Sequence, residues 1–268
     1  MKFIDKLTET VNKNNSLLCV GLDPDLAKLP AQFKNSEKPL FEFNKTIIDA
    51  TADLVCAFKP NSAFYEAHGE HGIEQLKDTC EYIHSKYPHM PILLDFKRGD
   101  IGNTNGKYAE FAFEYLKVDA VTLQPYQGGQ ALQPFFDYSD KGMFILVKTS
   151  NPGSAEFQNL ELENRPLYEH VTEIAMRDWN KNGNIMLVAG ATYPKELARI
   201  RELGGDDVPI LVPGIGAQEG GIEAMLRAGL NSKGSGLIVN ASRSIIYSEN
   251  PRNSAKDLCD QLRRLSQI

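Results

Sequence analysis

The chain has 268 residues, of which 42% are hydrophobic and 24% charged, and this balance is typical of a globular protein. Its net charge of -6 argues against nucleic acid as a partner, because phosphate backbones bind basic patches. No stretch reaches the about 20 apolar residues of a membrane span, and the first residues lack the apolar core of a signal peptide. We therefore expect a cytoplasmic protein with no membrane partner.

Strand-like and helical patterns alternate along the whole chain. Eight apolar runs typical of strands begin the repeating units, at 16–24, 54–60, 92 onward, 120–123, 143–147, 185–189, 208–212 and 236–240. Helical spacing follows most of them, at 40–52, 72–86, around 111–116, 167–179, 194–203, 222–228 and 254–265. Eight βα units without a linker predict one domain over residues 1–268, an α/β fold of the (β/α)8 TIM-barrel type with a parallel eight-stranded core. A doubly wound open sheet is the alternative.

The most unusual stretch begins at Ile92 and carries four charges within six residues, from Asp95 to Asp100. Alternation along a strand places Asp95 and Lys97 on one face and Phe96 on the other. The apolar residues before Asp95 indicate a strand covered on both faces, where charges are costly unless they are paired or used. A solvated edge strand and a purely structural ion-pair network are the alternatives.

A second lysine, Lys59, ends the preceding strand and can point inward at the same end of a barrel. We therefore interpret Lys59, Asp95, Lys97 and Asp100 as catalytic candidates. Flanking carboxylates keep a lysine protonated, which suits it to act as an acid rather than as a Schiff-base nucleophile.

Metal and thiol chemistry lack sequence support. The five histidines form no HxxxH or HExxH pattern, and the four cysteines have no CxxC spacing. We expect reduced, buried cysteines and neither a metal nor an organic cofactor.

The last two strands are followed by segments typical of a phosphate site. Residues 213–221 are rich in glycine and lead into a helix, so backbone N–H groups can approach an anion there. Arg243 follows the eighth strand and can make a bidentate phosphate contact. A glycine-rich turn beside a surface arginine is the alternative.

Residues 95–104 match the signature DxKxxDIxxT, and with the sequence TSNPG at 149–153 the chain resembles the orotidine 5'-phosphate decarboxylases, in their bacterial branch of longer chains. The resemblance implies loss of CO2 from C6 of orotidine 5'-phosphate without metal or cofactor, giving uridine 5'-phosphate in pyrimidine biosynthesis. It implies a Lys59–Asp95–Lys97–Asp100 tetrad in which Lys97 stabilises and then protonates the C6 carbanion.

The same resemblance implies the substrate contacts and a partner. Asp23 and Lys59 resemble a ribose-binding pair, Ser150 a pyrimidine contact, and the phosphate and pyrimidine clamp comprises Pro213, Gly216, Gln218 and Arg243. It also implies a homodimer in which Asp100 and Thr104 complete the partner's site. Ile101 is expected to be a further substrate contact. Ser242 is a departure, since many relatives place glycine before the arginine. The long polar loop 151–165 is expected to close over substrate.

Two other functions remain open at this point. Magnesium-dependent sugar-phosphate decarboxylases and hexulose-phosphate synthases also carry DxKxxD, but they resemble each other in an acidic metal ligand near the end of the second strand. Lys59 lies in that region here, and its charge would repel magnesium. A catalytically silent protein that binds phosphometabolites on the same fold is the second alternative.

Overall fold

The computed structural model describes residues 1–215 and 219–266. Its main sheet has eight strands: Leu18–Leu22 (β1), Ala57–Pro60 (β2), Leu93–Arg98 (β3), Ala120–Leu123 (β4), Gly142–Lys148 (β5), Ile185–Ala189 (β8), Ile210–Pro213 (β9) and Leu237–Ala241 (β10). The strands are parallel and lie in the order β2-β1-β10-β9-β8-β5-β4-β3. Parallel bridges from Phe58 to Ile92 and from Asn61 to Asp95 join β2 to β3. The sheet therefore closes into the predicted barrel and is not a doubly wound open sheet.

Helices lie between the strands, as predicted, with ends that differ by a few residues. They are Phe3–Asn14 (α1), Ala31–Lys34 (α2), Pro39–Thr51 (α3), Ala63–Glu66 (α4), Gly69–Lys86 (α5), Gly102–Ala109 (α6), Gly129–Phe136 (α7), Ala155–Gln158 (α8), Leu167–Ile174 (α9), Pro194–Gly204 (α10), Glu219–Gly229 (α11), Arg243–Ile246 (α12) and Pro251–Ser266 (α13). None of the helices in these described ranges combines the length and apolar composition needed to cross a membrane.

A helix that the sequence reading missed closes the lower end of the barrel. Phe3 and Leu7 of α1 pack into the apolar cluster of the barrel lumen, where the Phe3 ring meets Phe144 edge to face at 5.8 Å. Gly142 permits this contact, because a Cβ there would lie 2.4 Å from the Phe3 ring. One turn separates the two apolar residues, which gives this helix its buried face.

The lumen-facing side chains change from apolar to polar along the strands. Toward the amino ends of the strands the lumen is lined by apolar residues such as Leu93, Phe144 and Ile238. Phe58, Leu94 and Val239 face outward toward the helices. At the carboxyl ends the buried polar residues begin: Lys59, Asp95, Thr122 and Asn240. Buried polar groups are costly unless they are paired or used, so this end of the barrel is where a functional site is expected.

Candidate active site

Asp95 is the centre of a charged cluster in the lumen. Its Oδ2 accepts a hydrogen bond from Lys59 Nζ at 3.0 Å, and its Oδ1 accepts from Lys97 Nζ at 2.6 Å and from Thr122 Oγ1 at 2.8 Å. Asp95 and Lys59 are buried, whereas the side chain of Lys97 is 44% exposed. Lys97 therefore presents its ammonium group at the open end of the cluster.

The two charges of β3 meet through a bulge rather than through a regular strand. Leu94 pairs with Val121, but Arg98 pairs with Leu123. Between these two pairs β3 therefore contains two more residues than β4, which is a bulge. Lys97 has φ +44°, in the left-handed region that non-glycine residues rarely adopt. Phe96 points outward and packs edge to face on Phe135 at 6.1 Å. The predicted pairing of Asp95 and Lys97 is present, with a more strained backbone than alternation requires.

Mutual attraction fixes the charges of the buried pair. Burial alone would raise the pKa of Asp95, but the charges of Lys59 and Lys97 and the hydrogen bonds from Lys97 and Thr122 hold that pKa well below its usual range. Burial would lower the pKa of Lys59, yet the negative charges of Asp95 and Asp23 raise it above its usual value. At neutral pH the lumen therefore holds a carboxylate beside a protonated lysine.

The cysteines are unpaired and buried, as predicted. Cys19 faces the lumen below this cluster, and burial raises the pKa of its thiol to about 12. A thiol with that pKa is protonated at neutral pH and is a poor nucleophile. Cys19 is therefore not a candidate nucleophile, although it lies next to the charged cluster.

Asp23 lies beside Lys59, just beyond the end of β1. It is half-buried, and its Oδ1 has no hydrogen-bond partner among the described residues. Ser242, the departure noted in the sequence, donates from Oγ to the carbonyl oxygen of Gly21 at 3.2 Å. A Cβ at Gly21 would lie 2.7 Å from that of Ser242, so the glycine in β1 makes room for the serine that follows β10.

Ser150 is held where β5, β8 and β9 end. A Cβ at Gly190 would lie 2.8 Å from the Ser150 backbone nitrogen, and Gly214, with φ +85°, brings its backbone near the serine hydroxyl. Residues 151–165, predicted as a long polar loop, contain some regular structure. They form a short 3-10 turn, α8 and part of a small hairpin, Glu161–Leu162 (β6) with Arg165–Pro166 (β7), and they expose apolar side chains at Phe157, Leu160 and Leu162.

The two predicted phosphate segments begin side by side. Pro213 at the end of β9 pairs with Asn240 of β10, and Arg243 begins α12 three residues later. Arg243 is exposed and lines a cleft of about 540 Å³ together with Lys28 and Tyr247. Gly216 and Gln218 lie outside the described residues.

The remaining predicted site residues stand apart from the cluster. Asp100 accepts a hydrogen bond from the Ile101 backbone at 2.6 Å, and within residues 1–215 and 219–266 it forms no ion pair with Lys59 or Lys97. Ile101 is 63% exposed, and Thr104 is exposed at the start of α6. Asn105 secures the turn, because its Nδ2 donates to the backbone oxygen of Asp100 at 2.6 Å and its Oδ1 accepts from the backbone N–H of Asp100 at 3.0 Å.

Sequence reasoning missed two lumen residues, Thr122 and Asn240. Threonine is common in strands, so Thr122 carries no signal until its place opposite the bulge is known. Asn240 does carry a sequence signal, because an amide at the end of an apolar strand needs a hydrogen-bond partner. Its Oδ1 is buried and has no such partner in the described part of the chain. In that same part, no group of three or more His, Cys, Asp or Glu side chains is arranged to hold a metal ion.

Comparison with known proteins gives a consistent result. The family model described as "Orotidine 5'-phosphate decarboxylase / HUMPS family" matches residues 16–258. An orotidine 5'-phosphate decarboxylase of Dechloromonas aromatica is 52% identical over 247 residues, covering 92% of this chain and 90% of that protein. One from Ralstonia pickettii is 46% identical over 99% of this chain and 96% of its own length.

A solved structure extends the likeness to the fold. The OMP decarboxylase of Leishmania donovani superposes with a TM-score of 0.90 at 41% identity and full coverage of both chains. Identity of this extent over nearly the whole length leaves no large part of the barrel unmatched. The chain belongs to the orotidine 5'-phosphate decarboxylase / HUMPS family and is an enzyme of the carboxy-lyase class.

Proposed function

We propose that this enzyme removes CO2 from C6 of orotidine 5'-phosphate without metal or organic cofactor and so forms uridine 5'-phosphate. The observation that carries the proposal is the contact of 2.6 Å between Lys97 Nζ and Asp95 Oδ1 at the open side of the buried pair. This contact supports a site in which the Lys97 ammonium group and the Asp95 carboxylate both face the reacting part of the substrate.

Lys97 has two roles in the proposed reaction. Breaking the C6–carboxylate bond leaves an electron pair on C6, and the ammonium charge of Lys97 stabilises that carbanion. Lys97 then donates a proton to C6, which completes the exchange of CO2 for hydrogen. The left-handed backbone at Lys97 supports this role, because strain of this kind is retained where surrounding contacts hold it and clusters at functional sites.

Asp95 and Lys59 prepare the site for that step. Asp95 is ionised, so a substrate carboxylate placed against it experiences like-charge repulsion that ends when CO2 departs. Lys59 keeps Asp95 charged in the buried lumen. With Asp23, it binds ribose hydroxyls in the proposed complex. The unpartnered Oδ1 of Asp23 supports a polar ligand at that position.

The pyrimidine and the phosphate of the substrate are assigned to other residues at the carboxyl ends of the strands. Ser150 contacts the pyrimidine, and Arg243 binds the phosphate with the segment that begins at Pro213 and includes Gly216 and Gln218. The neighbouring positions of β9 and β10 support this assignment, because both segments leave the barrel at one point. Phosphate binding there holds the pyrimidine over Lys97, so binding energy remote from C6 contributes to the transition state.

We further propose a cytoplasmic homodimer in which Asp100 and Thr104 complete the partner's site, and we propose Ile101 as a substrate contact. Support comes from the exposed positions of Ile101 and Thr104, from the half-buried Asp100, which forms no ion pair with Lys59 or Lys97 among the described residues, and from a second large exposed side chain, Tyr126, beyond the neighbouring strand β4. Four unpaired, buried cysteines fit a reducing compartment.

Mixing two inactive variants tests the shared site. Asp100→Ala and Lys97→Ala chains are each expected to lack turnover, and mixed dimers are expected to recover part of it, since one of their two sites is intact. Absence of recovery after confirmed subunit exchange would count against sharing.

The central test is direct. Protein stripped with a chelator is incubated with orotidine 5'-phosphate, and CO2 release is followed. Full turnover is expected without added metal. Turnover that requires magnesium would favour the sugar-phosphate alternative and overturn the cofactor-free reaction.

A further inference from the structure

Within residues 1–215 and 219–266, Thr122 is the one uncharged side chain that hydrogen-bonds to the Asp95 carboxylate. It lies on β4, is 1% exposed, and faces the lumen opposite the bulge of β3. Its hydroxyl lies 2.8 Å from Asp95 Oδ1 and 3.0 Å from the Lys97 backbone nitrogen. One oxygen atom thus contacts both Asp95 and Lys97 of β3.

The direction of both hydrogen bonds follows from their chemistry. A backbone N–H only donates, so the Thr122 oxygen accepts from Lys97. An ionised carboxylate only accepts, so the single hydroxyl proton is donated to Asp95. No other arrangement satisfies both contacts, and the threonine hydroxyl is therefore fixed in orientation.

The bulge explains why this hydroxyl is needed. Pairing between β3 and β4 is interrupted from Leu94 to Arg98, so the N–H of Lys97 has no regular ladder partner. A buried N–H without a partner costs about 1–3 kcal/mol. Thr122 supplies that partner at the residue whose φ of +44° needs external support.

We propose that Thr122 is a positioning residue of the reaction, holding the Lys97 backbone and the Asp95 carboxylate in the geometry that presents the Lys97 ammonium to C6. The inference rests on the proposed roles of Asp95 and Lys97. Thr122 acts through these two residues and is not itself assigned a contact with substrate.

The test replaces the hydroxyl while keeping the shape of the side chain. Thr122→Val is expected to lower kcat by about 10- to 100-fold, the factor that a hydrogen bond to a charged group represents, with KM changed by less than about threefold. Thr122→Ser keeps the hydroxyl and is expected to restore most of kcat. Thr51→Val is the matched control, because Thr51 is also buried but donates to the Ile47 carbonyl oxygen within α3.

A second pair keeps the test decisive if Thr122→Val does not fold. Thr122→Ser and Thr122→Ala both lose the methyl group and differ only in the hydroxyl, so their ratio of kcat measures the hydroxyl alone. The expected ratio is again about 10 or more.

The outcome separates this inference from the function on which it rests. Wild-type kcat in a folded Thr122→Val, equal kcat in the Ser and Ala variants, or an effect on KM alone would overturn the positioning role. Lys97→Ala is measured in the same series. If that variant keeps turnover, the proposed role of Lys97 fails instead, whatever Thr122→Val shows.

Discussion

Two buried lysines stand at the same rim of the barrel and differ in almost every other respect. Lys59 is 3% exposed and hydrogen-bonds to a carboxylate in the lumen. Lys148 is 1% exposed and hydrogen-bonds to the neutral side chains of Ser154 and Asn159, with its ammonium 4.6 Å from the Tyr193 ring centre. Burial by itself lowers the pKa of both lysines. At Lys59 the negative charge of Asp95 outweighs burial and the pKa is raised, whereas at Lys148 the effect of Glu196 is weaker and the pKa stays lowered.

Strand irregularities account for the difference in position. Phe144 and Leu146 of β5 face the lumen, and regular alternation would turn Lys148 inward as well. The register between β5 and β8 shifts after Leu146, and Lys148 instead lies against residues of the following segment and against Tyr193, which precedes α10. The bulge of β3 does the opposite, because it presents two charges to the lumen. Partner and direction, rather than burial, thus separate a lysine of the charged cluster from a lysine that only packs beside the barrel.

The largest expected effect is on turnover. Lys97→Ala should lower kcat by about 10⁴-fold or more, since it removes both electrostatic stabilisation and the proton donor. Substrate should still bind, as measured by calorimetry, because the proposed phosphate contacts remain. Lys148→Met is the control, and its turnover should stay within about tenfold of wild type because its side chain lies outside the lumen. Equal losses in the two variants would erase the distinction between these lysines.

A second effect is expected on stability. Asp95→Asn leaves Lys59 buried without its carboxylate, and removal of one partner from a buried pair costs about 3–5 kcal/mol of unfolding free energy. Asp53→Asn removes an exposed carboxylate paired with Arg252 and should cost about 0.2–1 kcal/mol. Urea denaturation at pH 7 measures both changes.

The stabilisation by Asp95 has a defined pH range. Its pKa is held below the unfolded value of about 3.9, so the stabilisation is present above about pH 4 and is lost as the pH falls toward the folded pKa. Asp95→Asn should lack this acid-sensitive component. A variant as stable as wild type would show that the buried pair contributes nothing to folding.

The smallest effect concerns the sign of pH dependence at Lys148. Because its folded pKa is lowered, the unfolded chain binds more protons as the pH approaches about 10.4, so wild type should gain stability relative to Lys148→Met as the pH rises from 8 to 10. Lys59 has the opposite sign, since its raised pKa gives stability that is lost only above about pH 10.4. Urea titrations at several pH values measure the slope, and a falling difference would contradict the assignment at Lys148.

The sequence was sufficient for the barrel and for the charged strand, and the reason is physical. Apolar runs such as 143–147 are long enough to form buried parallel strands, and their spacing leaves room for one helix each. Lys59, Asp95 and Lys97 were recognisable because charges at the ends of such strands are costly unless used. Helix α1 was missed because Phe3 and Leu7 stand among charged residues, and their packing against Phe144 depends on tertiary structure.

Thr122 lay beyond any sequence pattern. Its importance arises from the register shift of β3, which no local spacing encodes. Thr104 was found by resemblance alone. Asp100 was recognisable as a charge after the strand, but its assignment to a partner's site came from the resemblance.

The most direct test of the account follows C6 of the product. Because the protonation step is reversible, wild-type enzyme incubated with uridine 5'-phosphate in D2O should exchange the C6 hydrogen for deuterium, as seen by loss of the C6 proton signal in NMR. Lys97→Ala should bind the nucleotide and leave the signal intact. Exchange at the wild-type rate in Lys97→Ala would contradict the assignment of Lys97 as the group that stabilises and protonates the carbanion.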